Sequence, residues 1–208
     1  MLHLETVESG TLSLLRELME QPSLANFSLV GGTALALRFG HRTSIDIDLF
    51  YNNRFDQSEI IAALEKRFGA RFRYIQQHSQ FGIFCFIDNV KVDLVYYPHP
   101  LVSDTISEDG IRMYSNADIA AMKIQAILGR AKKKDFWDLH ELICHYSLQQ
   151  IMDWHKLKYP GQMLAISIPH AVTYFKEADE SETPLSLKGQ TWPQIKNDIS
   201  KVVRDYLE

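Results

Sequence analysis

The sequence is short of cysteine and of any large excess of charge. Two cysteines in 208 residues, Cys85 and Cys144, cannot make a disulfide framework. Both sit in apolar segments and read as reduced core thiols. No run approaches the about 18 uninterrupted apolar residues of a membrane span. The opening Met1-Leu2-His3-Leu4-Glu5 lacks the basic start and apolar stretch of a secretory signal, so the cytoplasm is the expected location. Gly-x-Ser-x-Gly, His-Glu-x-x-His and paired Cys-x-x-Cys motifs are missing, and eight scattered histidines show no zinc spacing. The balance of 22 Lys plus Arg against 26 Asp plus Glu, net −4, argues against a non-specific DNA coat. What is present, 46% hydrophobic and 23% charged residues, excludes a disordered chain and suffices for a packed core.

Element types alternate in the first half. Thr6 to Glu20 reads as an amphipathic helix with Leu12, Leu15 and Met19 on one face. Phe27 to Val30 is a short strand running into Gly31-Gly32. Thr33 to Phe39 is a helix closed by Gly40, and Ile45 to Tyr51 alternates with the period of a strand. Asp56 with Glu59 starts a helix through Phe68. Strands are expected over Arg71–Gln77, Phe81–Ile87 and Val90–Tyr97, with Asp88-Asn89 as a hairpin turn and Pro98 and Pro100 ending the ladder. From about residue 115 helical patterns dominate: Asn116–Leu128, Asp135–Tyr146, Leu148–Lys158, Pro169–Ala178 and Trp192–Tyr206. This predicts a mixed-sheet α/β domain over 1–115 and a helical lobe over 116–208, with a crevice between them for substrate.

The chemistry concentrates around Asp46-Ile47-Asp48. Residues i and i+2 of a strand share a face, so both carboxylates point one way while Ile45, Ile47 and Leu49 point to the core. Like charges so placed need neutralising, and oxygen-only ligands suit Mg²⁺ or Mn²⁺. Upstream, Gly31-Gly32-Thr33 joins a strand to a helix, where glycines and helix N–H groups favour a phosphate. Phosphate cradle and carboxylate pair together are the equipment of metal-dependent phosphoryl or nucleotidyl transfer.

Val30-Gly31-Gly32, thirteen residues, then Asp46-Ile47-Asp48-Leu49 resembles the signature of the nucleotidyltransferase fold superfamily. More narrowly, Gly31-Gly32-Thr33-Ala34-Leu35-Ala36 and His41-Arg42-x-Ser44-x-Asp46-Ile47-Asp48-Leu49-Phe50 resemble the AbiEii/AbiGii toxin family. The likeness covers roughly residues 28 to 142. It implies an α+β fold, a nucleotidyltransferase-like mixed β-sheet flanked by helices with a C-terminal helical lobe. It also implies a third carboxylate, which Asp93 in Lys91-Val92-Asp93-Leu94-Val95 fits, making Asp46, Asp48 and Asp93 the metal set. Ala120-Ala121-Met122-Lys123 and Lys134-Asp135-Phe136-Trp137-Asp138 look like its later motifs, implicating Lys123 and Asp138 or Asp135 in catalysis. The helical wheel favours Asp135 as the semi-buried carboxylate, while the resemblance favours Asp138. Lys123 lies inside an apolar stripe, so it either snorkels out or meets charge in a cleft.

The expected activity is transfer of a nucleoside monophosphate from an NTP to an acceptor hydroxyl, with tRNA as acceptor in some relatives and a cognate antitoxin implied. Gly31, Gly32 and Thr33 would cradle phosphates. Arg42 and Ser44 would steady triphosphate oxygens, although Arg42 could equally tie its loop to the carboxylates. Arg130-Ala131-Lys132-Lys133-Lys134 is either a solvated face or a grip on RNA phosphates. An aminoglycoside-like acceptor and a nucleotide-sensing domain without turnover are the alternatives.

Overall fold

The computed structural model describes residues 1–74 and 79–208. The alternating segments of the first half build one mixed sheet. Its strands are β1 (Ser28–Leu29), β2 (Ile47–Tyr51), β3 (Phe72–Tyr74), β4 (Gly82–Ile87), β5 (Val90–Tyr96), β6 (Ile106–Glu108) and β7 (Ile111–Met113), in the order β3-β4-β5-β2-β1-β7-β6. β2 runs parallel to β5 and β1 parallel to β7, while the other neighbours are antiparallel. Asp88 and Asn89 both take positive φ, 52° and 66°, which suits a two-residue turn matched to strand twist. The β6–β7 hairpin goes beyond the predicted meander and turns on Asp109-Gly110, also both at positive φ. The expected strand over 71–77 appears as β3, and its residues 75–77 lie outside the described residues.

The helices are α1 (Ser9–Met19), α2 (Gly31–Phe39), α3 (Gln57–Phe68), α4 (Asn116–Gly129), α5 (Lys133–Ile143), α6 (Leu148–Lys158), α7 (Ile168–Val172), α8 (Lys176–Asp179) and α9 (Trp192–Leu207). Asp56 accepts from the Ser58 and Glu59 amides at the start of α3, and Gly40 closes α2 in the left-handed region. The single helix expected over Pro169–Ala178 is two, α7 and α8. Thr173 at the break bonds back from its hydroxyl to the Pro169 carbonyl, a bond that works against helix continuation.

One buried apolar cluster joins sheet and helices, with Leu29, Ile47, Val92 and Leu94 from strands and Ile119, Phe136, Trp137 and Ile195 from helices. Cys85 is buried within it. Cys144 is not: it caps α5 on the outside and is exposed, against expectation. Beneath the 98–103 loop, a wholly buried ion pair joins Lys158 to Asp118 at 2.7 Å. Asp118 also accepts from the Val102 and Ser103 amides, so the connection from β5 to β6 is held from below.

Candidate active site

Period two decides which side chains reach the open face of the sheet. In β2, Ile47 and Leu49 are buried, so Asp48 and Phe50 face the other way. In β5, Val92 and Leu94 are buried and Asp93 shares the face of Asp48. The parallel register sets Asp48 directly beside Asp93, on strands about 4.8 Å apart. Burial and the neighbouring Asp93 charge push the Asp48 carboxyl up from its ordinary value. Lys91, on the same face of β5, donates to Asp93 Oδ2. Asp93 Oδ1 is buried without a hydrogen-bond partner.

Asp46 is placed differently. The strand begins at Ile47, not Ile45, so Ile45 is 67% exposed instead of core-facing. The chain is held out of the pleat here by Thr33, whose hydroxyl bonds the Asp46 carbonyl at 2.5 Å and the Ser44 hydroxyl at 2.8 Å. The Asp46 carboxylate lies 3.5 Å from Lys134 Nζ. Among the described residues, no three His, Cys, Asp or Glu side chains are gathered into a metal-holding group. Asp48 and Asp93 stand paired, with Asp46 at their edge.

The two glycines do different work. Gly31 opens α2 at φ +69°, and a Cβ there would lie 3.1 Å from Asp48 Oδ2, so glycine brings the helix start against the carboxylate. At Gly32 a Cβ would lie 2.0 Å from Arg42 Nη2. Arg42 lies over that glycine and donates through Nε and Nη2 to Asp138 Oδ1 and Oδ2, at 2.7 and 2.8 Å. Of the expected phosphate cradle, Gly31 faces the cleft. Thr33, Ser44 and Arg42 are tied to protein partners, so Arg42 takes the loop-tying role in this arrangement.

Lys123 does not snorkel. It is 5% exposed, and Nζ bridges Asp135 Oδ1 at 3.0 Å and Asp138 Oδ2 at 2.7 Å. Both carboxylates are wholly buried, so wheel and resemblance each point to a member of one pair. Burial alone would push the Asp138 carboxyl up. The Arg42 and Lys123 charges and the His41 bond outweigh it and hold the carboxyl well below the usual range. Asp135 is lowered more mildly against the same burial, by Lys123 and Arg130. Between this cluster and the sheet lies a cleft of about 480 Å³, with Gly31, Asp48, Asp93, Tyr97, Lys123 and Arg130 among its walls.

Over residues 13–159 the sequence matches the family model described as nucleotidyl transferase AbiEii toxin, type IV toxin–antitoxin system. The chain belongs to that family. It is 33% identical over 189 residues to an uncharacterized protein of Aquifex aeolicus (strain VF5), covering 88% of this chain and 89% of the relative. Among solved structures it resembles MenT4, a nucleotidyltransferase toxin of Mycobacterium tuberculosis H37Rv. That match has a TM-score of 0.61 at 14% identity over 93% of this chain and 81% of the other. ANT(2")-Ia in complex with adenylyl-2"-tobramycin matches with a TM-score of 0.52 at 16% identity, over 70% of this chain and 95% of that one. At such identities the shared property is the fold, and here it is a nucleotidyltransferase fold.

In this AbiEii-family chain the motif loop is also gripped from the far end of the sequence. Arg42 bridges to Ser186, the Thr43 amide donates to the Leu185 carbonyl at 3.0 Å, and the Leu187 amide to the His41 carbonyl at 3.0 Å. Next to these contacts, Lys188 Nζ reaches buried Glu141 at 2.7 Å. Three site residues went unread in the sequence. His41, given no role of its own by the motif, is wholly buried with Nε2 on Asp138 Oδ1 at 2.7 Å. Lys134 belongs both to the basic run and to the later motif, and neither pairs it with Asp46. Lys91 was readable from period two, being one strand repeat from Asp93.

Proposed function

We propose that this toxin-family chain transfers a nucleoside monophosphate from an NTP to an RNA hydroxyl, with tRNA as the first acceptor to try, in a reaction dependent on Mg²⁺ or Mn²⁺. The observation that carries the reading is the side-by-side placement of Asp48 and Asp93 on parallel strands, across a cleft from buried Lys123.

The residues fit a divalent cation. Asp93 Oδ1 is buried and unpartnered, and Gly31 leaves room against Asp48 Oδ2. Burial first, and then the Asp93 charge, raise the Asp48 carboxyl, an opposition a bound cation would relieve. Asp48 and Asp93 would hold the ion, with Asp46 joining from the edge once released by Lys134. A bound cation would neutralise phosphate charge and polarise the reacting phosphorus.

The protein's own groups supply the rest. Lys123 carries a fixed positive charge where negative charge builds on departing pyrophosphate. Its two aspartates hold the ammonium protonated and in place, since their charges outweigh the opposing effect of burial. Asp138 thus acts through Lys123 and Arg42, as a positioning residue. Arg130, half exposed at the mouth of the cleft, and the adjacent lysines offer charge to an RNA backbone. Among the described residues no helix is long and apolar enough to cross a membrane. We place the reaction in the cytoplasm, checked by a cognate antitoxin.

Incubation with each labelled NTP, total RNA and Mg²⁺ tests the reading. Labelled RNA is expected from the wild type and not from Asp48→Ala. Absence of label in RNA with all four NTPs overturns it.

A further inference from the structure

A second groove opens beside the cleft. Its volume is about 680 Å³, and Tyr97 and Gln125 wall both spaces. The sequence Tyr97-Pro98-His99-Pro100 makes one side. Two prolines restrict φ and leave their own nitrogens without donors, so the segment presents rings, not a strand edge. Tyr159, at the end of α6, makes the other side.

The rings are mutually braced. The Tyr97 and His99 centroids lie 4.6 Å apart, and His99 and Tyr159 lie 4.8 Å apart. The Tyr97 and Tyr159 hydroxyls are hydrogen-bonded at 2.5 Å. Gln125 bonds His155 Nε2 through its Oε1 at 3.0 Å, which leaves its amide NH₂ without a protein acceptor among the described residues. Among the described residues no carboxylate lines the groove, and burial with the nearby Lys158 charge lowers the His99 imidazole from its usual range.

Resting on the nucleotidyl-transfer reading, we propose that this groove binds an unstacked nucleobase. The half-buried Tyr97 and His99 rings, backed by buried Tyr159, accept a base by stacking, and a free amide gives its polar edge a donor. The location suits the chemistry. Tyr97 lies four residues beyond Asp93 along the same strand direction, about 13 Å at the strand rise, a span suited to a nucleoside and its phosphates. The base belongs either to the NTP or to the acceptor.

The test is fluorescence quenching of the full chain's ligand with Mg²⁺ present. One probe is 2-aminopurine riboside triphosphate, and the other is an RNA oligonucleotide ending in 2-aminopurine. Quenching of either probe by the wild type is expected, weakened at least about fivefold in both His99→Ala and Gln125→Leu, with melting curves reporting that the variants fold. Loss with the triphosphate assigns the groove to the donor base, and loss with the oligonucleotide assigns it to the acceptor. Binding of both probes within twofold of wild type in both variants overturns the proposal. Repeating the titration in Asp48→Asn separates the two readings. A chain that stacks the base yet labels no RNA sinks the transfer reading alone. One that labels RNA with unaltered binding in the groove variants sinks the groove alone.

Discussion

Asp138 sits at the meeting point of three cationic or protonatable side chains. Its Oδ2 takes Lys123 Nζ at 2.7 Å, while its Oδ1 takes Arg42 Nε and His41 Nε2, each at 2.7 Å. It therefore connects the motif loop ahead of β2 to the lysine that faces the cleft.

Removing that carboxylate strands buried charge. Asp138→Ala is expected to cost about 3–5 kcal/mol, the usual penalty for breaking a buried pair from one side. Asp135→Ala should cost less, because Lys123 keeps Asp138 and the half-exposed Arg130 can rehydrate. Urea denaturation midpoints of the two variants give the comparison, and equal losses would refute the ranking.

Gly32 and Gly10 should respond oppositely to alanine. At Gly32 the new methyl meets the Arg42 guanidinium 2.0 Å away, so Gly32→Ala is expected to destabilise by about 1–3 kcal/mol. A Cβ at Gly10, in the first turn of α1, meets nothing within 4 Å. Gly10→Ala is thus neutral to about 1 kcal/mol stabilising. Thermal melts of both variants decide it.

Acid should loosen the cluster. Asp135 and Asp138 are held below their ordinary 3.8 in the folded chain, so the unfolded chain binds more protons as pH falls. Their contribution is present above 3.8 and is lost as pH drops through the folded values. Asp48, raised by burial, has the opposite sign: its contribution declines as pH rises from 3.8 toward its folded value. Below pH 3.8 the unfolding free energy should slope upward with pH in the wild type. The slope should be shallower in Asp138→Asn.

Asp48→Asn should separate stability from activity. Removing one of two adjacent like charges is expected to stabilise the cation-free chain by ~0.5–2 kcal/mol, while abolishing transfer. Mg²⁺ should raise the melting point of the wild type, by the equivalent of about 2.7 kcal/mol at a hundredfold excess over Kd, and leave Asp48→Asn nearly unmoved. Equal Mg²⁺ responses would exclude Asp48 as a ligand.

Much of this molecule was legible because its signals are local. Period two turned Asp48 away from Ile47 and Leu49, the resemblance supplied Asp93, Asp88-Asn89 made its turn, and α6 runs over the expected Leu148 to Lys158. The motif resemblance brought Lys123 and Asp138 to the same site. What stayed hidden depends on distant partners. Ile45 alternates correctly yet lies outside, because Thr33 draws the Asp46 carbonyl away from the pleat. Arg42 read equally as a phosphate ligand or a loop tie, and the carboxylate it meets lies 96 residues away. β6 and β7 are three residues each, too short for periodicity to declare, though Asp109-Gly110 marked their turn.

The grip of residues 185–187 on the loop at 41–43 sets an order in time. During synthesis Asp46 and Asp48 are added long before Leu185. At about 5–20 residues per second the interval is roughly 7–28 s. Throughout it the loop lacks the backbone bonds that Leu185 and Leu187 supply. A chain whose family acts as toxins thus finishes the support of its motif loop only once Leu187 has followed.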